Sequence, residues 1–336
     1  MNNKFLSICI PSYNMERYLN RCVDSLLALE ILDDIEIIIV NDGSKDATLS
    51  IANQYKAQYP NSVVVIDKPN GHYGSTVNAA LKVATGKYFR ILDADDWFNT
   101  KALVVFVNKL KEIDVDCVFT KYTIHDYNKK NIIEQNVNNV IFNCKLIFSE
   151  YLIPSTCYAM HSLTYKLEFL HDINYKQTEG ICYTDTEYVF YPLCCANTIY
   201  NIDISLYQYY LGREDQSMSH RIISKNFHHF EKLLNSYISN WHFNATKNVE
   251  RVQCYYIQEM MSRMLNICIF YTWDNREIEA ISRMYIKTIK KLSSNIYNKL
   301  IKLKYKGIPY VNIWVKHQIL YKYILLPIIC YFSIKK

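Results

Sequence analysis

Residues Ile35–Ser44 read IEIIIVNDGS, an almost continuous apolar run that ends in a short polar turn. Such a run is typical of a β-strand that is covered on both faces, as in parallel sheets. A helical pattern follows over residues 46–59 and stops at Pro60, and strand and helix patterns go on alternating to residue 122. This alternation predicts βαβ units, and therefore an α/β domain built on a mostly parallel sheet.

The polar segments at 11–14, 41–44 and 93–96 each follow a predicted strand directly. Ligands of such sheets bind at the carboxyl ends of the strands, so we expect these segments to form one site. The first part of the chain has expected strands at 6–10, 35–40, 63–66, 88–92 and 115–122, and helices at 16–29, 46–59, 75–84 and 100–112. Later elements are expected as helices at 166–170 and 185–191, strands at 198–202 and 206–210, and a mostly helical region from 222.

The composition describes a globular chain with an uneven charge distribution. Its 336 residues, half of them hydrophobic, suffice for one large domain with an appendage. Residues 281–336 contain 12 Lys and Arg and no Asp or Glu, so the net charge of +6 comes from a basic tail on a mildly acidic body. Eleven cysteines without a C-x-x-C pair, and no apolar leader before the first strand, predict a reduced, cytosolic protein.

The run Asp93-Ala94-Asp95-Asp96 is the strongest chemical signal. Carboxylates that leave a strand two residues apart can face one site, and their hard oxygen atoms suit Mg²⁺ or Mn²⁺ bound to phosphate. The alternative is an acidic turn that caps the helix expected from Thr100. A calcium-binding EF-hand loop is excluded, because Phe98 stands where glycine is required and Val104 where glutamate is required.

Three further segments admit a ligand role and a purely structural role. Asp42 in the segment 41–44 could accept hydrogen bonds from a base or a ribose, or the segment could be an ordinary turn. Tyr13 could stack on a base or lie in a surface loop. Residues 71–76 lead into a helix whose N-terminus could receive phosphate. They lack the P-loop lysine and the dinucleotide fingerprint, which weighs against a kinase or a dehydrogenase.

The second half of the chain contributes weaker candidates. Asp185, in the segment 184–187, could act as a general base, or the segment could form a capping box with Glu187. Arg213 could bind phosphate from a polar loop that follows a strand, or that loop could simply be solvated. His161 lies in an aromatic and polar stretch and could contact substrate or metal.

Taken in order, these motifs resemble family 2 glycosyltransferases of the GT-A fold, the bacterial kind that builds surface polysaccharides. The segments that carry the resemblance are 7–14, 37–44 with Asp46 and Thr48, 71–80, 84–88 and 93–97, and more loosely 185–187 and 209–217. The resemblance implies a GT-A catalytic domain over residues 1–218, with a nucleotide-sugar-binding half at 1–110 and an acceptor half at 111–218. A helical C-terminal region, 219–336, would follow.

The resemblance also implies roles for individual residues. Those expected at the nucleotide-sugar are Pro11, Tyr13, Asp42, Asn78, Asp93 and Arg213. Those expected at the metal, Mn²⁺ or Mg²⁺, are Asp95 first, with Asp93 and Asp96. Asp185 matches the family's catalytic base, although Thr184 stands where the family usually has glutamate.

The implied activity is inverting, metal-dependent transfer of a hexose or N-acetylhexosamine from a nucleotide-sugar to a hydroxyl of a glycan or lipid-linked acceptor. UDP is favoured by its frequency in the family. The chain lacks the Gln-x-x-Arg-Trp motif of processive members, and no stretch of 18 apolar residues without charge occurs, so addition of a single sugar is expected. Two alternatives are a sugar nucleotidyltransferase, which would need a Gly-rich basic first loop, and a non-catalytic relative that binds sugar nucleotides or glycans.

The basic tail suggests a membrane partner. Residues 311–334 mix Trp314, Tyr321 and Tyr323 with lysines and aliphatic residues, a pattern that suits an interfacial helix on an anionic membrane. We therefore expect peripheral attachment to the inner face of the bacterial cytoplasmic membrane. The alternative is a C-terminal helix packed on the body with a solvated basic face. No nucleic-acid recognition motif accompanies the basic residues.

Overall fold

The computed structural model describes residues 4–135, 137, 140–150, 159–212, 225–242, 245–272, 274–305 and 307–327. The chain forms two compact units, Met1–Glu214 with Ala245–Val252, and Asp215–Asn244 with Gln253–Lys336. The boundary expected at 218/219 lies outside the described residues.

The first unit contains ten described strands and six described α-helices before residue 213. The strands are β1 Leu6–Ser12, β2 Ile35–Asp42, β3 Val63–Lys68, β4 Tyr88–Ile91, β5 Trp97–Phe98, β6 Cys117–Asp126, β7 Asn131–Glu134, β8 Lys145–Ile147, β9 Leu163–Lys166 and β10 Thr198–Leu211. The helices are α1 Leu19–Asp24, α2 Thr48–Gln58, α3 His72–Val83, α4 Thr100–Glu112, α5 Leu167–Asp172 and α6 Glu187–Cys195. Short 3₁₀ turns occupy Leu32–Asp34, Met160–Ser162 and Thr184–Thr186.

The strands form one sheet in the order β3-β2-β1-β4-β9-β6-β10-β5, with β7 beside β6 and β8 beside β10. Strands β1 to β4 are parallel where they pair, as the alternation of strands and helices predicts. Strand β9 is antiparallel to both β4 and β6 and joins the two halves of the sheet. The α/β class is confirmed, and the short antiparallel strands of the second half make the complete sheet mixed.

Burial explains why the first half follows its pattern so closely. All eight residues of β2 are buried, in agreement with a strand covered on both faces. Helix α4 turns Leu103, Phe106, Val107 and Leu110 into the core, a spacing that places them on one face. These helices hold the strands so that their carboxyl ends open on one edge.

Strand β10 departs from the sequence expectation in a way that matters for the site. Two strands are expected at 198–202 and 206–210, whereas one strand runs through both. Its pairing with β6 shifts register between Ile202 and Ser205 and again between Ser205 and Tyr207. Such irregularities bend a strand and redirect its side chains. The residues after the second shift lie beside the acidic run.

The second unit is helical, as expected. Its described helices are α7 Phe227–Ser239, α8 Lys247–Asn266 (whose first residues belong to the first unit), α9 Arg276–Leu292, α10 Ser294–Ile301, α11 Tyr310–Lys316 and α12 Gln318–Leu320, with π-helical turns at Ile267–Tyr271 and Tyr321–Leu325. None of the described helices combines the length and the hydrophobicity that a membrane crossing requires.

The tail differs in part from the interfacial helix expected from its sequence. Trp314 is buried within the second unit, where the Arg283 guanidinium lies 4.2 Å from its ring centroid. Tyr321 is also buried, and its hydroxyl donates to the Ile269 carbonyl at 3.1 Å. The expectation that Trp314 and Tyr321 face a membrane is therefore wrong, because packing within the helical unit uses both rings. Tyr323, in contrast, is exposed.

Candidate active site

The acidic run lies directly after β4, at the carboxyl edge of the sheet. Its last member, Asp96, is buried, and its two carboxylate oxygens accept hydrogen bonds from the Tyr207 hydroxyl at 2.6 Å and the Tyr210 amide at 2.7 Å. The first member, Asp93, accepts from the Tyr73 hydroxyl at 2.7 Å. These contacts fasten the run to β10 on one side and to α3 on the other.

The run does not cap the following helix. The N-cap of α4 is Asn99, whose side chain accepts from the Ala102 amide at 3.1 Å. The capping alternative for the acidic residues is therefore wrong. The carboxylates of Asp93 and Asp96 instead accept hydrogen bonds at the carboxyl edge of the sheet.

A histidine from the second half completes a group with metal-ligand geometry. One ligand atom each from Asp93, Asp96 and His161 lie within 4.8 Å of one another. His161 belongs to the turn Met160–Ser162, and the buried Arg90 holds that turn by donating to the His161 carbonyl and, at 2.8 Å, to the Thr164 hydroxyl. Asp95, the first choice from the motif, lies outside this group, and its carbonyl accepts from Arg21 at 2.5 Å.

The electrostatics of this group fit a divalent cation. Burial, and then the charges of Asp95 and Asp93, raise the pKa of Asp96 well above its usual value. Burial, with a smaller contribution from Arg90, lowers the pKa of His161 to about 3, so the imidazole is neutral at physiological pH and has a lone pair to donate. A cation would offset the repulsion among the carboxylates, and each hydrogen-bonded oxygen keeps acceptor capacity. The mixed oxygen and nitrogen donor set suits Mn²⁺, and oxygen ligands alone would suit Mg²⁺.

Asp42 is buried at the end of β2, where it organises the next loop. Its Oδ1 atom pairs with the Lys68 ammonium at 2.6 Å and accepts from the Gly71 amide at 2.9 Å. Lys68 also donates to the Ser75 hydroxyl at 2.8 Å. Sequence reasoning missed Lys68, although the parallel register places it directly opposite Asp42 at the end of β3, where a strand-pairing argument would have found it.

The loop that carries Tyr13 is joined to the loop after β2. The Asn14 amide donates to the Ser44 hydroxyl at 3.0 Å, and the Asn14 side chain accepts from the Lys45 amide at 2.9 Å. Tyr13 is 44% exposed, and Pro11 is partly buried at the end of β1. Pro11 and Asp42 therefore lie at the ends of β1 and β2, and Tyr13 lies in the loop after β1, which is hydrogen-bonded to the loop after β2. All three residues are at the carboxyl edge of the sheet, as the sequence predicts for the ends of neighbouring strands.

Asn78 lies further along α3 and contacts another part of the chain. Its amide donates to the Gln177 carbonyl at 2.9 Å and to the Glu179 carboxylate at 2.8 Å, and it accepts from the Gln177 amide at 2.9 Å. The side chain thus joins α3 to the loop that precedes Asp185. Arg213, the remaining expected contact of the nucleotide-sugar, lies outside the described residues.

Asp185 is partly buried and sits in the short 3₁₀ turn Thr184–Thr186. Burial, then the charges of Asp93 and Asp185, raise the pKa of the Tyr73 hydroxyl, so both carboxylates act on one phenol. The capping-box alternative is wrong: no side chain caps this turn or α6, and Glu187 accepts from the amide and hydroxyl of Thr178 at 2.7 and 2.8 Å. Asp185 and the acidic run are therefore linked through Tyr73, on which the charges of both Asp93 and Asp185 act.

The family model of glycosyl transferase family 2 matches residues 7–172, the stretch that contains β1 to β9, the acidic run and His161. The chain therefore contains a glycosyl transferase family 2 domain. The family 2 segment thus holds the first half of the site, and Asp185 and β10 follow it.

Curated relatives match about a third of the chain. A stretch of 116 residues, 34% of the chain, is 40% identical to a hyaluronan synthase of Pasteurella multocida and covers 12% of that protein. A stretch of 118 residues, also 34% of the chain, is 41% identical to a poly(ribitol-phosphate) beta-glucosyltransferase of Bacillus spizizenii and covers 19% of it. The chain therefore matches less than a fifth of the length of either relative.

Solved structures match nearly the whole chain. TarS 1–349 of S. aureus, in complex with UDP-GlcNAc, superposes with a TM-score of 0.61 over 99% of this chain and 88% of that one, at 19% identity. The mannosyltransferase PcManGT of Pyrobaculum calidifontis, in complex with GDP-Man and Mn²⁺, gives 0.51 over 98% and 87%, at 12% identity. These likenesses confirm the expected GT-A fold of this family 2 protein.

The Glu187 contact yields a prediction about stability. Burial, and to a lesser extent Asp185, raise the pKa of Glu187 to about 7 from an ordinary value of 4.5. The folded state therefore binds more protons than the unfolded state between these pH values. The contribution of Glu187 to the free energy of unfolding is fully present below pH 4.5 and is lost as the pH rises through 7. The loss reaches roughly 3 kcal/mol, at 1.36 kcal/mol per pKa unit. Glu187→Gln should remove this pH dependence because an amide does not titrate. The fold should survive, because the glutamine oxygen can accept from the Thr178 amide and its NH₂ group can donate to the Thr178 hydroxyl.

Thermal unfolding of both proteins at several pH values from 5 to 8 measures the effect. Glu168→Gln, which alters a glutamate whose side chain is 70% exposed, is the matched control and should leave the wild-type profile in place. A Glu187→Gln profile parallel to that of the wild type would contradict the assignment.

Proposed function

We propose that the chain is an inverting, metal-dependent, non-processive glycosyltransferase that moves a hexose or N-acetylhexosamine from a UDP-sugar to a hydroxyl group. The observation that carries the proposal is the group formed by Asp93, Asp96 and His161 at the carboxyl edge of a family 2 domain, with the charge of Asp185 acting on the same Tyr73 hydroxyl that binds Asp93. An acidic and metal-ligating group beside a lone carboxylate is the arrangement that sugar transfer from a diphosphate needs. A protein that only binds nucleotide-sugars would not need the lone carboxylate as a base.

In this proposal the nucleoside of the donor binds at the ends of β1 and β2 and at the loops that follow them. Asp42 would accept from a base or ribose through Oδ2, while Lys68 and the Gly71 amide hold Oδ1. Tyr13 would stack on the base and Pro11 would line the pocket. The UDP-GlcNAc complex of the TarS neighbour supports UDP, whereas the GDP-Man complex of PcManGT shows that the fold accommodates another nucleotide.

The reacting half would lie between the acidic run and Asp185. The acceptor hydroxyl attacks the anomeric carbon, its proton passes to Asp185, and the bond to the diphosphate breaks with its electron pair on the leaving oxygen. In-line attack inverts the anomeric centre. A cation held by Asp93, Asp96 and His161 would supply Lewis-acid stabilisation of the diphosphate. We give Asn78 the supporting role of holding the segment that leads to Asp185.

The first test is a screen for turnover. Purified protein with Mn²⁺ or Mg²⁺ is mixed with UDP-, GDP- and dTDP-sugars, and release of the nucleoside diphosphate is measured together with the thermal shift. We expect metal-dependent stabilisation by one nucleotide class and slow hydrolysis of one sugar. Asp185→Asn should bind that nucleotide normally but lose at least roughly 100-fold in transfer, as removal of a general base does. Asp114→Asn, at a side chain that is 66% exposed, is the control.

The outcomes of this screen separate the alternatives. Binding of a UDP-sugar without release of UDP would support a non-catalytic relative and overturn the proposal. Incorporation of a nucleotide into a sugar phosphate would support a nucleotidyltransferase. Transfer by Asp185→Asn at the wild-type rate would overturn only the assignment of the base.

A second prediction distinguishes the two ligand sets, since the motif favours Asp95 and the geometry favours His161. His161→Ala should weaken Mn²⁺ binding by at least roughly tenfold, because it removes a direct donor. Asp95→Asn should have a smaller effect. Titration of free Mn²⁺ by electron paramagnetic resonance, with and without UDP, measures the affinity directly. His228→Ala, at a half-exposed histidine of the helical unit, is the control. A larger loss in Asp95→Asn would restore the motif-based set.

The acceptor and the location are proposed from the named relatives and from the exposed residues of the tail. The two relatives are named for hyaluronan synthesis and for glucosyl transfer to poly(ribitol-phosphate), both polymeric acceptors or products. We therefore propose a glycan or lipid-linked acceptor of bacterial surface polysaccharide, reached at the inner face of the cytoplasmic membrane. Within the described tail, Ile319, Tyr323 and Leu320 are 78%, 70% and 41% exposed. Lys316 and Lys322 flank them and are exposed.

Exposed apolar side chains beside lysines suit an anionic membrane surface, where each lysine contributes about 1 kcal/mol. The triple variant Ile319→Ser, Leu320→Ser, Tyr323→Ser should lose most of its co-sedimentation with vesicles of phosphatidylglycerol and phosphatidylcholine. The double variant Lys316→Gln, Lys322→Gln should lose binding and much of its salt dependence. Leu29→Ser, which removes an exposed leucine of the first unit, is the control. Equal co-sedimentation of all four proteins would refute the membrane contact.

A further inference from the structure

Tyr209 lies beside the acidic site, after the end of the family 2 segment at residue 172, and the sequence motifs assign it no role. It follows the second register shift of β10, two residues after Tyr207, and is partly buried. Its ring stacks on the His161 imidazole, with centroids 4.4 Å apart and planes 30° apart. The stack places the phenol beside the group formed by Asp93, Asp96 and His161.

The hydroxyl of Tyr209 differs from those of its neighbours. Tyr207 and Tyr73 donate to Asp96 and Asp93, so their protons are committed to the protein. Among the described residues no hydrogen bond is formed by the Tyr209 hydroxyl. Burial, then Asp96, Asp93, Asp95 and Asp185, raise the pKa of Tyr209, so this phenol is neutral and lies within electrostatic reach of all four carboxylates.

We propose that the Tyr209 hydroxyl donates a hydrogen bond to the β-phosphate of the bound nucleoside diphosphate. The inference rests on the proposed function and adds a substrate-binding residue to it. The ring stacks on His161, one of the three residues that would hold the cation, so the phenol lies on the side of the site where the diphosphate would bind. A neutral donor suits this position, because negative charge grows on the phosphate oxygen as the sugar leaves. The tyrosine keeps its proton throughout.

The experiment compares UDP with UMP in the presence of Mn²⁺, by calorimetry on the full chain. Tyr209→Phe keeps the ring and its stack on His161 but removes the hydroxyl. A hydrogen bond to a charged group is worth a factor of roughly 10 to 100, so UDP affinity should fall by that factor while UMP affinity changes less than about twofold. Tyr127→Phe removes the hydroxyl of a 56% exposed tyrosine that lies near Tyr210, and it should change neither affinity.

Each outcome has one meaning. Equal UDP affinity in Tyr209→Phe and wild type overturns the inference and leaves the proposed function standing. An equal loss for UDP and UMP indicates a structural role and also overturns it. Binding of neither nucleotide by the wild type, with GDP and dTDP equally inactive, overturns the proposed function itself. Thermal unfolding of each variant, expected within a few degrees of the wild type, verifies that the comparison concerns folded protein.

Discussion

The buried carboxylate of Asp96 is the contact on which the site depends. A carboxylate removed from water is costly unless hydrogen bonds replace its hydration, and here the Tyr207 hydroxyl and the Tyr210 amide do so. Both donors lie on β10, the last strand of the domain. The Tyr207 hydroxyl also accepts from the Asp93 amide at 3.2 Å. One tyrosine therefore fixes both ends of the acidic turn, and the first half of the fold presents its carboxylates correctly only once the second half has docked.

This arrangement concentrates negative charge, and the surroundings show how it is tolerated. Among the described residues, two guanidinium groups lie near the acidic run. Arg21 donates to the Asp95 carbonyl and lies 4.1 Å from the Trp97 ring centroid. Arg90 donates to the His161 carbonyl. Neither guanidinium neutralises a carboxylate by direct pairing there. Burial, and then repulsion from Asp95 and Asp93, raise the pKa of Asp96. A site built in this way favours a ligand that brings positive charge, and a cation–diphosphate complex meets that requirement better than a neutral sugar would.

How much of this could be predicted from the sequence depends on the distance along the chain over which each contact forms. The strands to β4 and the placement of Asp42 and Asp93 follow from local periodicity and from the rule that strand ends gather at one edge. Tyr207 and Asp96 are 111 residues apart, and no local pattern links them. His161 belongs to a 3₁₀ turn before a short antiparallel strand, and Tyr209 follows a register shift in β10. Neither residue lies in a regular helix or strand pattern from which the direction of its side chain could be predicted. Lys68 is the intermediate case, since the register of two parallel strands implies it.

The loop that precedes Asp185 is fastened to both α3 and α6, and these contacts fix the position of the Asp185 turn. Asn78 binds this loop from α3, Glu187 binds it from α6, and the Gly180 amide donates to the Gly71 carbonyl at 3.0 Å. Contact with α3 is so close that a Cβ atom at Gly74 would lie 2.2 Å from the Thr178 carbonyl oxygen. Glycine is required there by space and not by backbone conformation. Because α3 also supplies Tyr73 to Asp93, the helix connects the acidic run to the turn of Asp185. Asn78 and Glu187, which hold the loop before that turn, are both buried. The separation between the acidic run and the Asp185 turn is thus set by packing, which positions a group more accurately than a free loop does.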